Sequence, residues 1–233
     1  MSNLEKKNKY LNGEIILIDK PFGWSSFQTV KKIRYLLKKK YNLKKIKVGH
    51  AGTLDPLATG LLILCTGKAT KLVKEIQDKQ KTYSGEITLG ATTPSFDAET
   101  QINNVYATKH ISEKLIQNVA LNFLGFSLQT PPMFSALKRN GERLYKKARR
   151  GEKIELKKRE IYIQKFKINS ISMPKIHFTI ECSKGTYVRS IAYDFGAKLK
   201  SGGYLSKLNR EKIGDYSVRD ALTIETFEND LKL

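Results

Sequence analysis

Residues 49–60 read GHAGTLDPLATG and run directly into LLILC at 61–65. Glycines at 49, 52 and 60 let the backbone take positive φ and let another molecule approach the main chain closely. Pro56 fixes its own φ and biases Asp55 away from the helical region, so the carboxylate occupies a defined place in a loop. LLILC reads as a short buried strand behind that loop. Two readings of the stretch stand side by side. One is an Asp-Pro turn whose carboxylate hydrogen-bonds nearby backbone. The other is a loop that presents Asp55 as a nucleophile or general base.

Outward from this stretch the chain alternates strand and helix signals without a regular βαβ period. EIILID (14–19) reads as a first strand, stopped by Lys20-Pro21-Phe22-Gly23. Ser25 or Ser26 offers an N-cap for a helix whose apolar face is Val30, Ile33, Leu37 and Tyr41. The lysine-rich opposite face is either solvated or turned to phosphate. Gly67 and Thr70 flank the start of a helix running towards Ile76. KTYSGEITL (81–89) alternates, with Tyr83, Gly85, Ile87 and Leu89 on one face. A helix over 112–124 is predicted to bury Leu115, Val119 and Phe123. The segment 130–151, TPPMFSALKRNGERLYKKARRG, is irregular and basic, with a short helix ending at Gly151. Strands are predicted at 161–166, 176–182, 204–208 and 215–218, and helices over 188–199 and from Thr223. This pattern predicts an α+β fold with a mixed, largely antiparallel central sheet flanked by helices and basic loops. No linker divides the 233 residues, so one domain over 1–233 is expected, with a basic insertion at 125–158.

Lys plus Arg number 43 against 22 acidic residues, a net charge of +21 and a pI near 9.8. Such a field suits a polyanionic partner, chiefly nucleic acid; a solvated lysine-rich surface is the plainer explanation. The longest aliphatic run is too short to span a bilayer, and the N-terminus MSNLEKKNKY has no apolar leader region. A cytoplasmic protein without membrane contact is expected. Cys65 and Cys182, and His50, His110 and His177, are scattered. Zinc-ligand spacing is absent, and both cysteines read as core residues. Asp55 has no second acid in a comparable setting, which argues for a reaction that activates no water. In GTYVRSIAYDFG (185–196), Arg189 falls in the first turn of a helix, either as an ordinary exposed arginine or as a partner that holds Asp55 ionised. Tyr83 and Tyr187 are either core aromatics or stacking platforms for a base.

Five stretches occur in a fixed order: DKPFGWSS (19–26), GHAGTLDPLATG, KTYSGEITLG (81–90), PPMFSALKRNGERLYKKAR (131–149) and GTYVRSIAYDFGAKL (185–199). Together they resemble the bacterial TruB family, the tRNA pseudouridine-55 synthases. The resemblance covers about Glu14 to Asp220 and implies the pseudouridine synthase fold. It also implies a guide-RNA-independent isomerisation of the T-loop uridine in tRNA, with base flipping. By resemblance the catalytic aspartate is Asp55, the active-site tyrosine Tyr83 and the active-site arginine Arg189, paired with Asp55. His50 would contact and help displace the target nucleotide. Substrate contacts map onto Tyr187, Leu208, Gly52 and Thr53, while Lys20 and Pro21 match a K-P motif that supports the loop. The implied enzyme needs no cofactor, no metal and no protein partner, and acts as a monomer on the T-arm stem-loop of tRNA. Two features depart from the family pattern. Tyr193 stands where an acidic residue is common, and the chain ends at Leu233 where many relatives continue into an RNA-binding PUA domain. Residues 31–47 and 139–158 are the candidate phosphate-binding surfaces. Two other readings compete: a non-catalytic RNA-binding or tRNA-folding protein, and a guide-dependent pseudouridine synthase.

Overall fold

The computed structural model describes residues 2–152 and 154–231. In chain order its helices and strands are α1 (Asn3–Asn12), β1 (Ile15–Lys20), α2 (Ser26–Tyr41), β2 (Val48–His50), β3 (Ala58–Thr66), α3 (Val73–Asp78), β4 (Lys81–Leu89), β5 (Ala91–Thr92) and β6 (Asn104–Val105). They continue with α4 (Glu113–Leu121), β7 (Gly125–Gln129), β8 (Lys138–Arg139), β9 (Glu142–Arg143), α5 (Leu144–Arg149), β10 (Arg159–Ser172), β11 (Lys175–Cys182), α6 (Val188–Lys198), β12 (Gly203–Ile213), β13 (Tyr216–Ser217) and α7 (Ile224–Asp230). The chain forms two compact units, Met1–Tyr83 with Leu208–Leu233, and Ser84–Lys207; β4 and β12 contribute residues to both. No described helix is long and apolar enough to cross a membrane.

In the first unit β3 is central. It pairs antiparallel with β1 and β2 and parallel with β12, through Leu208↔Ala58, Asn209↔Thr59 and Arg210↔Gly60. Both of its faces are covered, which is why LLILC is continuously apolar rather than alternating. Leu62 and Leu64 pack with Ile16 and Ile18 of β1, Ile33 and Leu37 of α2, and Phe227 of α7. Leu61, Ile63 and Cys65 pack on the other side with Ala51, Ile76 and Ile213. The α2 face expected from spacing (Val30, Ile33, Leu37, Tyr41) is the buried one. Its N-cap is Ser25, whose hydroxyl accepts from the Gln28 amide while the Gln28 side chain accepts from the Ser25 amide.

In the second unit, residues 203–207 of β12 lie beside β4, followed by β11, β10 and β7. β10 pairs antiparallel with both β11 and β7. Between β4 and β12 the Thr88 hydroxyl donates to Ser206 at 2.9 Å. An aromatic core sits under the helices, with Phe166 edge-on to Phe123, Phe178 and Phe195 at centroid distances of 5.6–5.7 Å. Cys182 is buried on the strand face shared with Ile176, Phe178 and Ile180, as expected for a core cysteine.

Three local expectations change. The buried residues of α4 are Ile116, Val119 and Ala120, with Phe123 buried just beyond its end, while Leu115 is only half-buried; i, i+3, i+4, i+7 starting at Ile116 is the buried stripe. The strand expected at 161–166 runs from 159 to 172, and that at 204–208 from 203 to 213. The basic insertion holds the edge strand β7, the β8–β9 hairpin and α5; Lys153, within the candidate phosphate surface 139–158, lies outside the described residues.

At Gly60 β3 passes close to the backbone of β12. Its φ is +97°, and a Cβ there would stand 2.5 Å from both the Arg210 carbonyl oxygen and Asn209 Oδ1. Replacing Gly60 by Ala should cost about 1–3 kcal/mol through the backbone alone, and more through these clashes. Urea unfolding should show a clearly lowered midpoint, whereas an unchanged midpoint would contradict this packing.

Candidate active site

The loop from Ala51 to Leu57 joins β2 to β3, and polar side chains from three elements hold it. From the end of β1, Lys20 is fully buried and its ammonium donates to the carbonyls of Trp24 (2.6 Å), Pro21 (2.9 Å) and Pro56 (3.3 Å). At the start of α2, the Ser26 hydroxyl accepts from the Leu54 amide (2.8 Å) and donates to the Leu54 carbonyl (3.1 Å). From β12, Arg210 is buried, and its guanidinium donates to the carbonyls of Leu61 (2.8 Å), Gly52 (3.0 Å) and Thr53 (3.4 Å). The Gly23 amide adds a bond to the Pro56 carbonyl at 2.9 Å. Gly52 sits at φ +100°, a left-handed conformation that lets its carbonyl turn towards Arg210. Asp55 lies within this loop, half-exposed, and its own carbonyl accepts from the Ala58 amide at 3.1 Å.

The charges here are coupled. Burial lowers the Lys20 ammonium to about 8; the Asp55 carboxylate opposes that shift and Arg210 adds to it. Burial also lowers the Arg210 guanidinium, opposed by a hydrogen bond to Tyr83 and by Asp55. The Asp55 carboxylate thus favours the charged form of both buried cations, and Arg210 bonds both the loop and Tyr83. Tyr83 is buried in β4. Burial first, then Arg210, push the His50 imidazole below its ordinary value, against a weaker opposing influence from the Gly52 backbone. The ring is thus neutral at pH 7. Its Nδ1 is buried without a hydrogen-bond partner of good geometry. Leu208 is half-buried beside Ala58, and Thr53 is exposed.

Arg189 and Tyr187 belong to the second unit. Arg189 is buried, not the exposed helix arginine that its position also allowed. Its guanidinium donates to the carbonyls of Phe134 (2.8 Å) and Ser95 (3.1 Å), and its Nε lies 3.5 Å from Asp97 Oδ2. Asp97 is itself buried, and accepts from the Glu99 amide at 3.0 Å. Tyr187 precedes α6, where the Gln129 side chain bonds both its amide (2.8 Å) and its carbonyl (3.1 Å). The Arg159 guanidinium lies over the Tyr187 ring, 5.3 Å from its centroid. Tyr193, where relatives commonly carry an acidic residue, is half-buried and stacks on Phe96 with ring centroids 4.1 Å apart.

Arg210 and Asp97 did not emerge from the sequence. Arg210 follows Leu208 by two positions in LNR, so it faces the same side of β12. A strand pattern assigns such a charge to solvent, and only the inward-facing carbonyls of the loop reveal its role. If Arg210 holds the loop, Arg210→Lys keeps the charge but loses the fork and most of its bonds. The amides of 51–55 and 57 should then exchange hydrogen roughly tenfold faster or more, a loss of about 1.5 kcal/mol of local stability. Exchange at the wild-type rate would contradict the clamp.

The sequence matches the TruB family pseudouridylate synthase (N terminal domain) over residues 38–188. It is 54% identical over 225 residues to tRNA pseudouridine synthase B of Flavobacterium johnsoniae, covering 96% of this chain and 98% of that protein. It is 47% identical over 218 residues to tRNA pseudouridine synthase B of Phocaeicola vulgatus, covering 94% and 93%. Among solved structures, a chain of a Cbf5-Nop10-Gar1 complex superposes with a TM-score of 0.70 at 24% identity. The match covers 98% of this chain but 56% of that one, and it establishes a shared fold. On the family match and on relatives that align almost end to end, the chain belongs to the TruB family of pseudouridylate synthases.

Proposed function

We propose that the protein is a tRNA pseudouridine synthase that isomerises the T-loop uridine at position 55, with Asp55 as the catalytic carboxylate. The observation that carries this reading is the setting of Asp55. A turn aspartate needs only local backbone, whereas this loop is held by buried Lys20, Ser26 and Arg210. A carboxylate fixed by its surroundings before substrate arrives incurs little ordering cost at the moment of reaction.

The reaction breaks the bond between N1 and C1′, turns the uracil and joins C5 to C1′; C5 then loses a proton and N1 gains one. Product and substrate are isomers, so no cofactor, metal or external water is consumed. Asp55 attacks C1′, attacks the uracil ring or removes the C2′ proton; its charge serves each route. The uridine leaves its stack to reach the site. Tyr83 stacks on the flipped base, and its hydroxyl assists the loss of the C5 proton. Neutral His50 contacts the displaced nucleotide, which suits an uncharged base edge better than an imidazolium would. Leu208, Tyr187, Gly52 and Thr53 contact the substrate, and Lys20 supports the loop from beneath. Arg189 is the site arginine of the family, buried where a merely phosphate-steering arginine would be exposed. The T-arm is read by shape and by its phosphates, the protein acts as a monomer in the cytoplasm, and neither guide RNA nor a partner protein is required. Pseudouridine formation in tRNA transcript by the purified protein separates this reading from a guide-dependent synthase and from a non-catalytic RNA binder.

Two variants test the residue roles. Asp55→Asn should bind tRNA within about threefold of wild type and lose on the order of a thousandfold or more in rate, read by tritium release from uridine-labelled tRNA. Substantial turnover would remove Asp55 from the mechanism. Arg189→Lys should lower kcat about a hundredfold with KM changed little, because lysine lacks the planar fork. A change confined to KM would make Arg189 a binding residue only.

A further inference from the structure

The connection between α2 and β2 borders an open, solvent-facing cavity of about 450 Å³ within the first unit. Arg34 and Lys38 of α2 and Lys44, Lys45 and Lys47 of the connection line it, and no carboxylate does. We propose that this cavity binds a phosphodiester of the RNA backbone flanking the target nucleotide. The proposal rests on the tRNA reading above and names a contact for it.

The ordinary uses of lysine do not account for this group. Lys38 falls in the last turn of α2, where a cation complements the helix dipole. Asn42 caps that helix at φ +48°, so Lys44, Lys45 and Lys47 lie beyond it. Among the described residues no ion pair engages Lys38, Lys44, Lys45 or Lys47, whereas Lys32 pairs with Glu228 at 2.7 Å and Lys9 with Glu14 at 3.3 Å. Five like charges around one cavity repel each other, and an anion relieves that repulsion. Arg34 is oriented for the purpose. One Nη donates to the Val48 carbonyl at 2.9 Å, which fixes the guanidinium plane and leaves further N–H donors for a phosphate.

Gly49 lines the same cavity. A Cβ there would stand 3.7 Å from Val73 and 3.9 Å from Thr70, ordinary van der Waals distances. Packing therefore does not demand a glycine at this position. The direction is also right. Lys47 adjoins β2, three residues from His50, roughly 10 Å at strand rise. That is about three nucleotides at the roughly 3.4 Å rise of a stacked strand. The phosphate held here is thus one within about three nucleotides of the flipped one, not its own.

The test compares two triple variants with equal charge removed, titrated with a T-arm stem-loop across a range of salt. In Lys44→Ala/Lys45→Ala/Lys47→Ala, the Kd should rise about tenfold and the salt slope should flatten by roughly 0.7 for each phosphate no longer engaged. The kcat at saturating RNA should stay within about twofold, since none of the three touches the reacting atoms. In Lys109→Ala/Lys114→Ala/Lys167→Ala, exposed lysines of the other unit, the Kd and slope should change by less than half as much. Equal losses in both variants would reduce the cavity to part of a diffuse field, and no loss in the first would remove it outright; either result overturns the proposal. Wild-type protein that makes no pseudouridine would instead overturn the functional reading itself, a separate outcome seen before any variant is compared.

Discussion

Carbonyl oxygens turned inward onto two buried cations are the constraint on which the site depends. Lys20 and Arg210 are both withdrawn from solvent, one at the end of β1 and the other in β12, on either side of β3. A buried cation without partners costs several kcal/mol. Here six backbone carbonyls of the loop and its flanks take up their donors. The arrangement persists only while the loop keeps its shape, because any rearrangement strands a charge in the interior. Asp55 inherits that rigidity from carbonyls on both sides of it, those of Gly52, Thr53 and Pro56.

The same logic recurs in the second unit with different parts. Arg189 is buried, bonded to two carbonyls and set beside a buried carboxylate, Asp97. Burying a guanidinium in each unit is expensive, and neither burial is needed to close a hydrophobic core. The aromatic cluster around Phe166 and the aliphatic cluster around Leu62 already do that. Ordered, buried charge of this kind is commoner at functional sites than in ordinary cores.

Much of the fold was legible because binary patterns are local. The continuous run LLILC announced a buried strand, KTYSGEITL announced β4 at its actual bounds, and the serine pair 25–26 marked the start of α2. What escaped depends on distant partners. β7 exposes Phe126 and Leu128 and buries Gln129, so its residues carry no apolar-inward alternation, and only pairing with β10 makes it a strand. α1 lies in a polar N-terminal stretch, where the capping box of Ser2 with Glu5 has little apolar periodicity behind it to announce a helix. Asp55, Tyr83 and Arg189 stand out through ordered motifs and not through periodicity. Arg210 and Asp97 do not stand out at all, since the carbonyls and guanidinium that give them meaning come from elsewhere in the chain.

The central claim is that this protein, acting alone, isomerises one uridine of the T-loop. The most direct measurement is to incubate purified protein with an unmodified tRNA transcript and map pseudouridine at single-nucleotide resolution. The account predicts one pseudouridine, at position 55, formed without guide RNA or added protein. A transcript left unmodified, or modified only outside the T-loop, would contradict it.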